Sequence, residues 1–171
     1  MIFSRRRGGL WRKMFLVELP TTRLGVFLRS LDDQDGLAFH HLLRRNAAHL
    51  TRFGDYTSSI GKDADHWVEE FSTSDPRLDF GIYEDGVLVG RAALNPVAPP
   101  RYGCGYLLSA DACGRGLATL ALSALVAHSR TTLQATDIFA GVTHGNTASV
   151  AVLQRVGFVC VASFPRTTVT R

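Results

Sequence analysis

A predicted strand, a glycine-containing turn and an amphipathic helix follow one another directly between Cys104 and Ser129. The strand is predicted from CGYLLSA, the turn from CGRG, and the helix from apolar residues at three- and four-residue spacing. Because an apolar helix face of this kind packs on a sheet, the segment predicts an α/β fold. The residues of that face are Leu117, Leu120, Ala121, Ala124, Leu125 and His128.

The rest of the chain predicts a mixed, mostly antiparallel sheet with helices on both faces. LDFGIYEDGVLVGRAAL places two apolar runs around Asp85-Gly86, which is typical of a tight hairpin. NPVAPPRYG carries three of the six prolines and is predicted to be a loop. DIFAGVT is predicted as a strand, the next segment as a helix ending at Gly157, and FVCVAS as a last strand. This alternation, after hairpins in the first half, indicates an α/β sheet of mixed direction.

The turn before the long helix is a candidate phosphate site. Gly114 and Gly116 lack side chains, and the first turn of a helix presents unpaired N–H groups at its positive end. The dinucleotide pattern G-x-G-x-x-G is excluded because Thr119 stands at the third glycine's place, and no lysine followed by Ser or Thr completes a P-loop. A phosphate site of another type and a purely structural turn both remain open.

The same strand, turn and helix resemble the acetyl-CoA-binding segment of the GCN5-related N-acetyltransferases (GNAT). That family's pattern of Gln or Arg, two residues, Gly, any residue, and Gly or Ala becomes Cys113-x-x-Gly116-x-Ala118, with cysteine in the first place. AGVTHGNTASVAVLQRVGF resembles the family's strand, N-x-x-S and helix. Upstream segments resemble the branch that includes the ribosomal-protein alanine acetyltransferases, and the resemblance covers about Leu24 to Phe164.

The resemblance implies acetyl-CoA as co-substrate and a primary amine as acceptor, either a peptide N terminus or a small molecule. If the strands CGYLLSA and DIFAGVT diverge, the pantetheine arm can pair with free backbone groups in the gap, and the diphosphate can reach the amides of the turn beside Arg115. The implied acetyl-CoA-binding residues are Leu107, Leu108, Ser109, Cys113, Gly114, Arg115, Gly116, Leu117, Ala118, Thr119, Asn146 and Ser149.

Two catalytic residues are candidates. The resemblance implies that Ser149 donates a hydrogen bond to the departing sulfur; the alternative is that Asn146 only caps a helix in which Ser149 is an ordinary residue. Histidine is a common general base, and His144 is the candidate here, against the alternative of an exposed loop histidine. No Asp or Glu follows Asp137. An amine of low pKa can lose its proton to water.

Three further residues can belong either to the hydrophobic core or to the active site. They occupy alternate positions in the strand CGYLLSA and just before it, so their side chains lie on one face of the strand. They are Tyr102, Cys104 and Tyr106.

Composition favours one cytoplasmic domain without a membrane span. The net charge of +4 and the pI of about 9.3 do not choose between an anionic ligand and nucleic acid. Three cysteines and six histidines form no metal spacing, so no metal site is expected. Besides the enzyme, the sequence leaves open a silent acyl-CoA-binding module and, resting on the basic start alone, a nucleic-acid-binding protein.

The two ends of the chain carry separate expectations. Residues 1–13 hold five Lys and Arg residues and are expected to be a disordered basic extension before a single domain at 14–171. Only thirteen residues follow Phe158, and Pro165 interrupts them, so the final strand of the resembled family is expected to be missing. The exposed edge would then give a homodimer or a shortened acceptor pocket.

Overall fold

The structure is a computed structural model that describes residues 16–53 and 56–163. It contains a six-stranded sheet with helices before and after the central strands. The strands are β1 Glu18–Pro20, β2 Val26–Ser30, β3 Asp79–Glu84, β4 Val87–Ala98, β5 Arg101–Leu108 and β6 Asp137–Phe139. The helices are α1 Gly36–Arg45, α2 Ala47–Leu50, α3 Thr57–Ile60, α4 Ala64–Thr73, α5 Leu117–Thr131 and α6 Thr147–Val156.

The sheet is mixed and mostly antiparallel, as the sequence predicts. Its strands lie in chain order from β1 to β6, and each neighbouring pair through β5 is antiparallel. β6 is parallel to β5, which it joins through the crossover helix α5. The change of direction therefore falls between the two strands on either side of the predicted phosphate turn.

The hairpin at Asp85-Gly86 forms as predicted. Both turn residues have positive φ, 49° for Asp85 and 80° for Gly86, and Glu84 pairs with Val87 across the turn. Two central residues of positive φ match the right-handed twist of the flanking strands, and Asp-Gly suits this geometry. The turn fixes the register of β3 and β4.

The predicted loop at 95–103 is wrong, because these residues extend β4 and begin β5. Asn95 pairs with Gly103 and Pro96 with Tyr102, so only Pro99 and Pro100 remain as the turn. Pro96 is tolerated because its nitrogen faces the β3 side, as the Leu94 N–H does, and the β3 ladder ends opposite Ala93. A proline there removes no ladder hydrogen bond.

Helices cover both faces of the sheet, as predicted. α1 and α4 pack over one face, and the buried cluster there consists of Leu31, Phe39, Leu42, Leu43, Leu50, Trp67, Phe71 and Leu107. α5 covers the other face, and α6 contacts α5. The α5 face is wider than predicted: Leu117, Ala118, Ala121, Leu122, Leu125, His128 and Ser129 are buried, and Leu120 and Ala124 are partly buried.

The predicted strand FVCVAS does not form in the described residues. Residues 158–163 have neither strand nor helix assignment, and Val159 and Val161 are 79% and 81% exposed. β-propensity alone does not make a strand where no neighbouring strand supplies hydrogen bonds. The expected loss of the following strand concerns residues 164–171, and the expected basic extension concerns residues 1–13; both lie outside the described residues. No described helix has the length and apolarity that crossing a membrane requires.

Candidate active site

A gap opens in the sheet where β5 and β6 separate. Residues 101–103 pair with 137–139, but β5 continues to Leu108 after β6 has ended at Phe139. A cavity of about 340 Å³ occupies the gap. Its lining residues are Tyr56, Cys104, Gly105, Tyr106, Leu122, Ala140, Gly141, Val142, Thr143, Asn146, Ser149 and Leu153. The two strands therefore diverge, which is the condition that the sequence analysis set for a pantetheine-binding gap.

Hydrogen-bond alternation along β5 decides which backbone groups face this gap. The Ser109 N–H donates to the Val89 carbonyl at 2.8 Å, so the alternating ladder makes Leu107 the next residue bonded to β4. The groups of Tyr106 and Leu108 point the other way, and the Tyr56 hydroxyl donates to the Tyr106 carbonyl at 2.7 Å. Of the predicted pantetheine partners, Leu107 and Ser109 thus face β4, and Leu108 faces the gap.

The glycine turn has the backbone geometry that a phosphate cradle needs. Gly114 and Gly116 have φ of 74° and 81°, in the left-handed region that favours glycine. The first intrahelical bond of α5 runs from the Leu120 N–H to the Gly116 carbonyl at 3.1 Å. The N–H groups of Leu117, Ala118 and Thr119 precede it and form the positive end of the helix. A Cβ at Gly114 would meet open space, so the turn leaves room for a ligand to approach these N–H groups.

Arg23 adds a second guanidinium beside the turn. It lies between β1 and β2, and its Nη1 donates to the Arg115 carbonyl at 2.9 Å. Its Nη2 lies 3.5 Å from where a Cβ would stand on Gly116. The Arg115 guanidinium instead forms an ion pair with Glu84 at 2.6 Å. The guanidinium that lies against the turn is therefore that of Arg23, whereas the sequence pointed to Arg115.

Cys113 directly precedes the glycine turn, at the position where the acetyl-CoA-binding pattern described above has Gln or Arg. Its Sγ lies 3.5 Å from the His49 Nε2 and 3.4 Å from the Ser109 carbonyl oxygen. Burial raises the pKa of the Cys113 thiol, which keeps it protonated at neutral pH.

Ser149 and Asn146 lie together at the start of α6. The Asn146 Oδ1 accepts a hydrogen bond from the Ser149 backbone N–H at 3.1 Å, so Asn146 does cap the helix. The Ser149 hydroxyl accepts a hydrogen bond from the Tyr106 hydroxyl at 3.2 Å inside the cavity. His144 is exposed, and it is absent from the described residues that line the cavity, although its neighbour Thr143 lines it.

The cavity has both polar and apolar lining residues but carries no carboxylate among the described residues that line it. Burial raises the pKa of the Cys104 thiol to about 11 and also raises the pKa of the Tyr106 phenol. Both groups are therefore protonated at neutral pH and act as hydrogen-bond donors. No group of three or more metal-binding side chains occurs in the described part of the chain.

The sequence did not decide whether one face of β5 belongs to the core or to the site, and the structure shows that it contributes to both. Tyr102 is 8% exposed and belongs to the core, whereas Cys104 and Tyr106 also line the cavity. Sequence reasoning missed Arg23 and Tyr56, because neither has a local motif and both reach the site from elements far away in the chain.

The comparisons with known proteins agree with this geometry. A family model described as an acetyltransferase (GNAT) domain matches residues 26–159. RimJ of Mycobacterium smegmatis, solved in complex with a CoA disulfide, is 26% identical, with 84% of this chain and 76% of RimJ covered and a TM-score of 0.72. A search of curated proteins finds no significant match.

Two further structures share the fold at lower identity. RimL, a ribosomal L7/L12 alpha-N-protein acetyltransferase solved with coenzyme A, is 21% identical over 83% of this chain and 84% of RimL, with a TM-score of 0.74. The ribosomal-protein-S5-alanine acetyltransferase of Vibrio fischeri is 17% identical over 84% and 83% of the two chains, with a TM-score of 0.73. Fold, turn, gap and family match together place the chain in the GNAT family as an acetyl-CoA-dependent acetyltransferase.

Proposed function

We propose that this protein transfers the acetyl group of acetyl-CoA to the α-amine of a protein N terminus. The main support is the gap between β5 and β6, which holds the Tyr106–Ser149 pair and no described carboxylate. A site without a strong base suits an amine that is already partly neutral at pH 7. An α-amine, with a pKa of about 7.7–8.0, meets that condition, and a lysine side chain, at about 10.4, does not. RimL is named as an alpha-N-protein acetyltransferase, and the Vibrio fischeri enzyme as a ribosomal-protein-S5-alanine acetyltransferase.

Each residue near the gap receives a role in this proposal. The N–H groups of Leu117, Ala118 and Thr119 bind the diphosphate, with Arg23 supplying charge. Leu108 offers backbone groups to the pantetheine arm, and Asn146 holds the start of α6 in place. Ser149 donates its hydroxyl proton in a hydrogen bond to the departing sulfur. The proton of the attacking amine passes to water.

The direct test is an acceptor panel assayed by release of free CoA thiol. Peptides with free N termini are compared with the same peptides carrying an Nα-acetyl block and an internal lysine, and mass spectrometry locates the added acetyl group. We expect acetylation of the free N terminus and none of the blocked peptide. Modification of lysine in the blocked peptide would show that the proposed acceptor is wrong.

The pH dependence separates the two amines further. The neutral amine attacks, so raising the pH raises the reactive fraction and the rate. For an N-terminal peptide we expect kcat/KM to rise about tenfold per unit below pH 7 and to level off near pH 8, the pKa of the amine. A rate that still climbs above pH 9 would indicate lysine. An inflection near pH 6.5 that is the same for every acceptor would indicate a histidine base, and His144 would then be the first candidate.

Gly116→Ala tests the diphosphate site. The new methyl group stands at the turn beside Arg23, and we expect the Kd for acetyl-CoA to rise at least about tenfold, or 1.4 kcal/mol. The matched control is Gly86→Ala, because Gly86 has φ of +80° against +81° for Gly116 and lies in the β3–β4 hairpin. Both variants should lose about 1–2 kcal/mol of unfolding free energy from left-handed strain. Calorimetric titration showing equal acetyl-CoA affinity for the two variants would contradict the assignment.

A further inference from the structure

We propose that Tyr106 is a positioning residue that holds the Ser149 hydroxyl with its proton directed at the coenzyme A sulfur. This inference rests on the role proposed for Ser149. Tyr106 lies on β5 and Ser149 in the first turn of α6, and the two meet across the gap with 3.2 Å between their hydroxyl oxygens.

The backbones of Tyr106 and Ser149 are each held in place by a further hydrogen bond. The Tyr106 carbonyl accepts a hydrogen bond from the Tyr56 hydroxyl, and Tyr106 lies opposite Ala92 within the paired stretch of β4 and β5. The Ser149 backbone N–H is held by the Asn146 side chain. The hydroxyl-to-hydroxyl contact therefore joins two anchored elements, and Tyr106 does not need to move to reach the serine.

The chemistry of the two groups fixes the direction of the hydrogen bond. A phenol is a stronger acid than an aliphatic alcohol, so Tyr106 is the donor and the Ser149 oxygen the acceptor. Burial raises the pKa of Tyr106, which keeps the phenol protonated through neutral and mildly alkaline pH. One lone pair of Ser149 is then occupied, and its single proton is left for a third partner.

Without Tyr106, the serine has a competing partner in its own helix. A serine hydroxyl in a helix rotates about χ1 and can donate to the carbonyl three or four residues earlier, here that of Asn146 or Gly145. In that rotamer the hydroxyl donates to the backbone and no longer to the site. The bond from Tyr106 favours the rotamer that faces the cavity, where both side chains line the wall.

The test is a double-mutant cycle of Tyr106→Phe and Ser149→Ala, with steady-state kinetics under saturating acceptor. We expect Tyr106→Phe to lower kcat about tenfold, the worth of one hydrogen bond, and to leave KM for acetyl-CoA unchanged. In the Ser149→Ala background, the same substitution should lower kcat no further. Tyr102→Phe is the matched control, because Tyr102 lies on the same face of β5 in the core, and it should retain wild-type kcat.

Comparison of the wild type, the two single variants and the double variant distinguishes the ways in which the inference can fail. A full effect of Tyr106→Phe in the Ser149→Ala background would overturn the inference, because Tyr106 would then act independently of the serine. A wild-type kcat for Tyr106→Phe would also overturn it while leaving the role of Ser149 intact. A wild-type kcat for Ser149→Ala would remove the proposed role of the serine itself, and this inference with it. Thermal unfolding of each variant identifies any loss of kcat that comes from unfolding.

Discussion

Ser149→Ala is expected to lower kcat by about 10²–10³-fold, the usual effect of removing one donor that stabilises charge in a transition state. As the bond to sulfur breaks, negative charge collects on the leaving thiolate, and the proposed donor to it is the Ser149 hydroxyl, which lies in the first turn of α6 and lines the gap. The bond between them develops mainly in the transition state, so KM for acetyl-CoA should change little.

The fold should survive this substitution. Asn146 caps α6 through the backbone N–H of residue 149, which alanine retains, and alanine favours the helix more than serine does. The matched control is Ser123→Ala, which makes the same chemical change on the exposed side of α5. CoA release measured for both variants should show the loss in Ser149→Ala alone. A kcat within about twofold of wild type for Ser149→Ala would mean that the leaving group needs no donor from the protein.

The parts of the fold that were predictable are those governed by local chemistry. Asp85-Gly86 forms its hairpin because two adjacent residues accept positive φ. α5 forms where apolar residues repeat at helical spacing, and α6 ends at Gly157, whose φ is 95°. In each case the residues that cause the structure are neighbours in the chain.

The errors come from interactions between distant segments. Pro96 predicts a loop by itself, yet it extends β4 because β3 ends before it and β5 pairs with its other side. FVCVAS predicts a strand by composition, yet residues 158–163 have no strand beside them in the described part of the chain. Whether a neighbouring strand is present cannot be read from a local pattern.

In the candidate site, too, the local motifs were predictable and the long-range contacts were not. The glycine turn and N-x-x-S are local motifs, and the sequence placed both. The side chains that complete the site reach it across 92 residues for Arg23, 50 for Tyr56 and 43 for the Tyr106–Ser149 pair. Such contacts depend on how the fold brings the connection between β1 and β2, the strand β5 and the helix α6 together.

Arg91→Ala is expected to destabilise the fold strongly. The Arg91 guanidinium makes two bonds to Asp79, at 2.7 and 2.6 Å, and a third to Glu70 at 3.1 Å. It also lies 5.3 Å from the centre of the Phe71 ring, in the core under α4. Removing it leaves the Asp79 carboxylate, whose side chain is 7% exposed, without its cation. We expect a loss of about 3–5 kcal/mol in unfolding free energy.

The chain contains a control in which the same two-bond arginine–aspartate contact is exposed and has no second carboxylate among the described residues. Arg77 makes the same two-bond contact with Asp75, at 3.1 and 2.7 Å, but these side chains are 56% and 32% exposed, so Arg77→Ala should cost less than about 1 kcal/mol. Urea denaturation of both variants measures the difference. Joint replacement of Arg91 by Met and Asp79 by Leu should recover much of the loss, because the penalty is that of an unpaired buried charge. Equal losses for Arg91→Ala and Arg77→Ala would contradict this account, since the two pairs would then contribute equally regardless of burial.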